Sequence, residues 1–125
     1  MASSEIRLKR RAEFLRVAAK GAKAPMPGMV LQALKRDDGA PARLGFTVTK
    51  KVGNAVVRNR TKRRLREAAR LLLRDQAAGG SALTGVDLVL IGREGTRARP
   101  FPALIDDFRR ALKRTGALVT DRPTP

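Results

Sequence analysis

The spacing of apolar and polar positions along this chain changes several times, and each change marks a predicted element. From Arg10 to Lys20, Phe14, Val17 and Ala18 stand at i, i+3 and i+4 before Gly21, which predicts a short helix with a glycine stop. Pro25, Pro27 and Gly28 then break the chain. Met29 to Lys35 is an extended candidate, and the turn cluster Asp37-Asp38-Gly39 with Pro41 makes it the first arm of a hairpin. The second arm runs from Arg43 to Thr49, where Leu44, Phe46 and Val48 alternate with Gly45, Thr47 and Thr49 at the period of a half-buried strand.

Asn54 caps a long helix from Val56 to Gln76, which Gly79-Gly80 ends. Asp87 to Arg93 is a continuous apolar run between Gly85 and Gly95, the pattern of a central strand. Phe101, Leu104, Ile105, Phe108 and Leu112 follow helical spacing, with Pro102 in the first turn and Gly116 past the end. Residues 117–125 read as a disordered tail. With no internal repeat, the 125 residues predict one domain whose core spans residues 7–114.

Composition then adds a partner. The chain holds 28 Lys and Arg against 11 Asp and Glu, a net charge of +17. Self-repulsion on that scale disfavours compaction unless an anion neutralises it, and nucleic acid is the anion expected. A membrane surface fits less well, because no run approaches the roughly 20 apolar residues needed to span and the basic stretches lack aromatic anchors. The chain has no His and no Cys, which removes imidazole acid/base chemistry, thiolate nucleophiles, disulfides and zinc sites built on those ligands. The first residues carry charge without an apolar segment, so no secretory signal is read there and a cytoplasmic location is expected.

The long helix sharpens that expectation. At 3.6 residues per turn, Val57, Thr61, Leu65, Ala68 and Leu72 fall on one side and suit packing against a sheet. Lys62, Arg63, Arg66, Arg70 and Arg74 project away from that stripe, and residues 50–74 contain ten basic side chains against the single acidic Glu67. A solvated helix face interleaves its signs. Here Lys62 and Arg66, or Arg66 and Arg70, repel at i,i+4 by a few tenths of a kcal/mol, and arginine forks suit bidentate phosphate contacts.

The run from Leu44 to Glu67 includes Lys50-Lys51-Val52-Gly53-Asn54-Ala55-Val56, then Arg58-Asn59-Arg60 and Lys62-Arg63. It closely resembles the signature of the bacterial ribonuclease P protein family. The likeness extends to Arg7-Leu8-Lys9, Glu13-Phe14, the Asp87 strand and the last helix. It implies an α+β two-layer domain ordered αβββαβα, with the signature helix in a left-handed β-α-β crossover, and it needs a short third strand ahead of the long helix, hidden among the elements read above.

It further implies the protein component of a ribonucleoprotein endonuclease, a hydrolase whose chemistry lies in the RNA and its Mg²⁺. The catalytic RNA would meet Lys51, Arg58, Asn59, Arg60, Lys62, Arg63, Arg66 and Arg70. The 5′ leader of precursor tRNA would enter a cleft formed by Lys9, Arg11, Phe14 and Thr47, with one protein monomer per RNA. Phe14 fits either a core aromatic or a stacking platform. Ala18, Met29 and Gln32 stand where relatives commonly carry aromatics, so the cleft is expected to rely on charge.

No catalytic or metal-binding residue is assigned. Asp37-Asp38 lies in a turn, where Asp is favoured for backbone reasons, and neighbouring Asp106 and Asp107 diverge on a helix. Composition alone also permits a structural RNA-binding protein or a free-standing basic ribonuclease; Arg58-Asn59-Arg60 argues against the former, and cleavage without the catalytic RNA would reveal the latter.

Overall fold

The computed structural model describes residues 6–118. In chain order its elements are β1 (Ile6–Arg7), α1 (Arg11–Lys20), β2 (Ala22–Met26), β3 (Met29–Lys35), β4 (Arg43–Val48), α2 (Ala55–Ala78), β5 (Val86–Gly92) and α3 (Phe101–Thr115). From α1 onward this is the αβββαβα order, with β1 as a two-residue addition at the sheet edge.

The sheet runs β1-β4-β5-β3-β2. β4 and β5 lie parallel, joined by α2, so they need a crossover; β3 pairs antiparallel with both β5 and β2. The Asp87 strand does take the centre, as its unbroken apolar run requires, with both faces covered.

Two strand expectations are corrected. The hairpin is β2–β3, turning at Pro27-Gly28, whereas β3 and β4 never pair because β5 lies between them. The hidden strand is therefore Ala22–Met26, where Pro25 suggested a break. β2 is an edge strand, and an edge tolerates a residue with no N–H to give. The segment 36–41 is a connection, with its arginine and aspartate tied down as described below.

α2 and α3 cover one face of the sheet. Leu65, Ala68 and Leu72 of α2 meet Leu44 and Phe46 of β4, Leu88 and Leu90 of β5, and Leu104, Phe108 and Leu112 of α3 in one aliphatic cluster. α3 ends where Gly116 takes a left-handed conformation at φ 81°, which glycine adopts without steric cost. Ala117 and Leu118, placed by the sequence in the tail, pack against this cluster; residues 119–125 lie outside the described residues. α1 sits on the opposite face over a smaller group, Leu8, Val17 and Val89, with Phe14, Leu34 and Ile91 at its border. Val17 is the buried residue of α1, whereas Ala18, expected on the same stripe, is exposed. Among the described residues no helix is long and apolar enough to cross a membrane.

Candidate nucleic-acid interface

α2 begins where the Asn54 side chain accepts the Val57 N–H at 3.0 Å, satisfying one of the four donors that an opening helix leaves unpaired. The expected stripe is inward: Thr61, Leu65, Ala68 and Leu72 are buried, and the Thr61 hydroxyl donates to the Val57 carbonyl at 2.9 Å. Burial of that stripe fixes the rotation of the helix about its axis. It therefore turns Asn59, Arg60, Arg63, Arg70 and Arg74 to solvent, with Lys62 and Arg66 half-buried at its flank.

Not every cation on α2 is equally available. Arg58 folds back so that its guanidinium donates to the Gly53 carbonyl at 2.8 Å, bracing the turn that precedes the helix. Arg70 donates to the Glu67 carboxylate at 2.6 Å, and that hydrogen bond holds the Glu67 carboxyl below its usual range. An ion pair exposed on both sides, as this one is, exchanges readily with a stronger anion. Arg64, absent from the expected contacts, donates to the Thr96 carbonyl at 2.8 Å and lies 5.6 Å from the Phe101 ring centroid, fastening α2 to α3. Lys51 is exposed in the short turn Lys50–Val52 just ahead of the helix.

The second surface lies between α1 and the sheet. Gly45 makes it possible, because a Cβ there would stand 2.6 Å from the Phe14 ring. The outer end of the Phe14 ring sits against this glycine and the residue remains half-buried, so it is a packing residue on one side and keeps an accessible portion. Lys9 and Arg11 are exposed nearby, and Thr47 is half-buried in a cross-strand row with Ile91, Val30 and Pro25.

The three positions expected to lack stacking aromatics separate here. Ala18 is exposed on α1, and Gln32 lies on the α1 side beside Val89. Met29 is 0% exposed in the cluster under α2 and α3, on the far side of the sheet, so it is no part of this cleft; the alternation of side chains along β3 puts Val30 there instead.

An ionic network holds α1 at its start, and the sequence reading missed it. Glu13 accepts the N–H groups of Lys9 and Arg10 at 3.2 and 3.1 Å, and its other oxygen accepts from Arg43 at 3.0 Å. Arg43 also forks onto buried Asp87 at 2.8 and 2.7 Å, which Arg36 meets at 2.7 Å. Burial pushes the Asp87 carboxyl up, but the hydrogen bonds from Arg43 and Arg36 outweigh it and hold it below the usual carboxylate range. The available signal was a charged residue opening an otherwise apolar strand, which needs a buried partner.

Asp38, Asp106 and Asp107 are also engaged with arginine. Asp38 pairs with Arg36 at 3.1 Å. Asp107 accepts the Gly28 N–H at 3.0 Å and both arms of Arg99, closing the β2–β3 turn against α3, whereas Asp106 turns outward to Arg110. Among the described residues no cluster of carboxylates converges as a metal site would require. The described acidic residues therefore do not fit a Mg²⁺ site of their own.

A family model described as Ribonuclease P matches residues 2–116. The ribonuclease P protein component of Gluconacetobacter diazotrophicus is 65% identical over 116 residues, covering 93% of this chain and 96% of that one. The structure of the Staphylococcus aureus ribonuclease P protein superposes with a TM-score of 0.70 at 26% identity, covering 95% of this chain and all of the other. That of Thermotoga maritima gives 0.67 at 29% identity, covering 86% and 96%.

Proposed function

The chain belongs to the ribonuclease P protein family, and from that premise we propose that it binds the catalytic RNA through α2 while holding the precursor tRNA leader between α1 and the sheet. The observation that carries this reading is the predominantly basic outer face of α2, interrupted by Glu67, whose orientation is fixed by burial of the opposite stripe. Arg60, Arg63 and Asn59 reach the phosphates of the RNA directly. Lys51, Lys62, Arg66 and Arg70 extend the contact along the helix, and Arg58 shapes its approach through Gly53.

Contacts of this kind neutralise phosphates, release counterions and let two polyanions, catalytic RNA and substrate, come together. The protein contributes binding and orientation. Hydrolysis of the phosphodiester, leaving a 5′ phosphate on the tRNA and a 3′ hydroxyl on the leader, belongs to the RNA and its Mg²⁺. The assembly is one protein with one RNA in the cytoplasm.

On the leader side, Phe14 is the one aromatic, and Lys9 and Arg11 provide charge. Leader affinity should therefore fall steeply with monovalent salt, with a log-log slope near 0.7 for each phosphate neutralised on a single strand. Phe14→Ala should cost about 1 kcal/mol, the low end for one stacked base. The test compares precursor with mature tRNA binding to the holoenzyme across a salt series at fixed Mg²⁺. A leader contribution flat in salt but abolished by Phe14→Ala contradicts it.

A further inference from the structure

The α1 side of β4 seats two consecutive residues of the helix. Alternation along the strand puts Arg43, Gly45 and Thr47 on this side, in step with Asp87, Val89 and Ile91 of β5. The Arg43 guanidinium donates to Glu13 at 3.0 Å, and two residues on in the same row Gly45 leaves the space that the end of the Phe14 ring fills. Thr47 continues the row, half-buried, into the cleft. The helix is thus fixed to the strand at two adjoining points, one ionic and one steric.

The ionic point reaches both ways. Glu13 is the third residue of α1, and one of its oxygens accepts the N–H groups of Lys9 and Arg10 at 3.2 and 3.1 Å while the other accepts from Arg43. Arg43 in turn forks onto Asp87, whose side chain is 4% exposed, so the far end of the bridge is held inside the sheet. The backbone that carries Lys9 and Arg11 is therefore set from the central strand. Glu13 also lines a surface concavity with Ile6, Arg7, Lys9 and Arg10. A bare carboxylate there would repel RNA, and the ion pair with Arg43 offsets its charge.

We propose that Arg43, acting through Glu13, is a positioning residue of the leader cleft: the bridge sets how the first turn of α1 presents Lys9, Arg11 and Phe14 to single-stranded RNA, and itself touches no RNA. A carboxylate on a surface for a polyanion weakens binding by charge alone, so what Glu13 contributes is geometry. Preorganising the contacts in this way lowers the ordering cost when the strand binds. The role rests on the leader-binding reading above. It is independent of the α2 face, which lies across the sheet from α1.

Glu13→Gln separates position from charge. The amide keeps one oxygen for the Lys9 and Arg10 N–H groups but turns its NH₂ toward Arg43, donor against donor, and breaks the bridge. By charge alone, removing a carboxylate should strengthen RNA binding. Positioning requires the opposite: the precursor-to-mature tRNA affinity ratio of the holoenzyme should fall about fivefold, within the coupling range of residues in one network. Affinity for mature tRNA and for ribonuclease P RNA should stay as in the parent. Arg43→Lys should lower the ratio similarly, because one ammonium cannot replace the planar fork between Glu13 and Asp87. The double variant should lose no more than the larger single loss, as both changes break one contact. Neither change removes a phosphate contact, so the salt slope of leader binding is expected to hold.

Thermal unfolding checks that each variant is folded at the assay temperature; if Arg43→Lys is not, Glu13→Gln carries the test alone. A precursor-to-mature ratio that Glu13→Gln leaves unchanged or raises overturns the proposal, as do additive losses in the double variant or an equal fall in mature tRNA affinity. Lys9→Ala/Arg11→Ala and Phe14→Ala keep the two readings apart. A lowered ratio in these alongside a silent Glu13→Gln defeats the positioning role alone, whereas an unchanged ratio in all of them defeats leader binding by this cleft as well.

Discussion

The Arg60→Ala/Arg63→Ala double substitution is expected to weaken binding to ribonuclease P RNA by about 3 to 6 kcal/mol, taking about 1.5 to 3 for each charged hydrogen bond. Both side chains are exposed on the outer face of α2, away from the buried stripe of Thr61, Leu65, Ala68 and Leu72. Neither is seen to brace a neighbour, unlike Arg58 on Gly53 or Arg64 on Thr96. The thermal transition and helical circular dichroism should therefore stay as in the parent. Filter binding across a salt series measures the loss, which should come with a smaller salt slope. Unchanged affinity, or a collapse of helicity in its place, contradicts the assignment of this face.

The second large effect concerns stability. Asp87→Ala should cost about 3 kcal/mol, the low end for breaking a buried ion pair because Arg43 keeps some contact with water. The substitution leaves Arg36 and Arg43 without their shared carboxylate and unseats Glu13, hence the start of α1. Asp87 also gives the parent an acid limb. Its carboxyl is held below the usual range in the folded chain, so its contribution is complete above the ordinary value of about 3.9 and is lost as pH falls from there through the lowered one. Urea unfolding at neutral pH and at about pH 3 tests both statements, since the gap between parent and variant should narrow in acid. A cost under about 1 kcal/mol at neutral pH would remove the network from the account.

The parts of this fold that were legible in the sequence are those governed by a single local pattern. The stripe of α2, the apolar run of β5 and the Phe101-to-Leu112 spacing each report which side is buried, and each was oriented correctly. Strand pairing was not legible, because it depends on which strand wins the centre. Asp37-Asp38-Gly39 carries turn chemistry, yet Asp38 accepts from Arg36, which also donates to the Pro41 carbonyl, and β5 inserts between the two arms. β2 was masked by Pro25, whose meaning differs between an edge strand and an interior one.

The site divides the same way. One-sided charge on α2 needed no tertiary knowledge, whereas Met29 and Phe14 required the sheet to exist before their faces could be known.

The most direct test of the central claim is reconstitution. The purified chain, a bacterial ribonuclease P RNA, and the two together are each incubated with precursor tRNA at low Mg²⁺, and 5′ leader release is followed over time. The account predicts no cleavage by the protein alone, slow cleavage by the RNA alone and strong stimulation by the pair, since the chain neutralises phosphates that Mg²⁺ would otherwise have to screen. Leader release by the nuclease-free protein alone, or no stimulation of the RNA at any ratio, would contradict it.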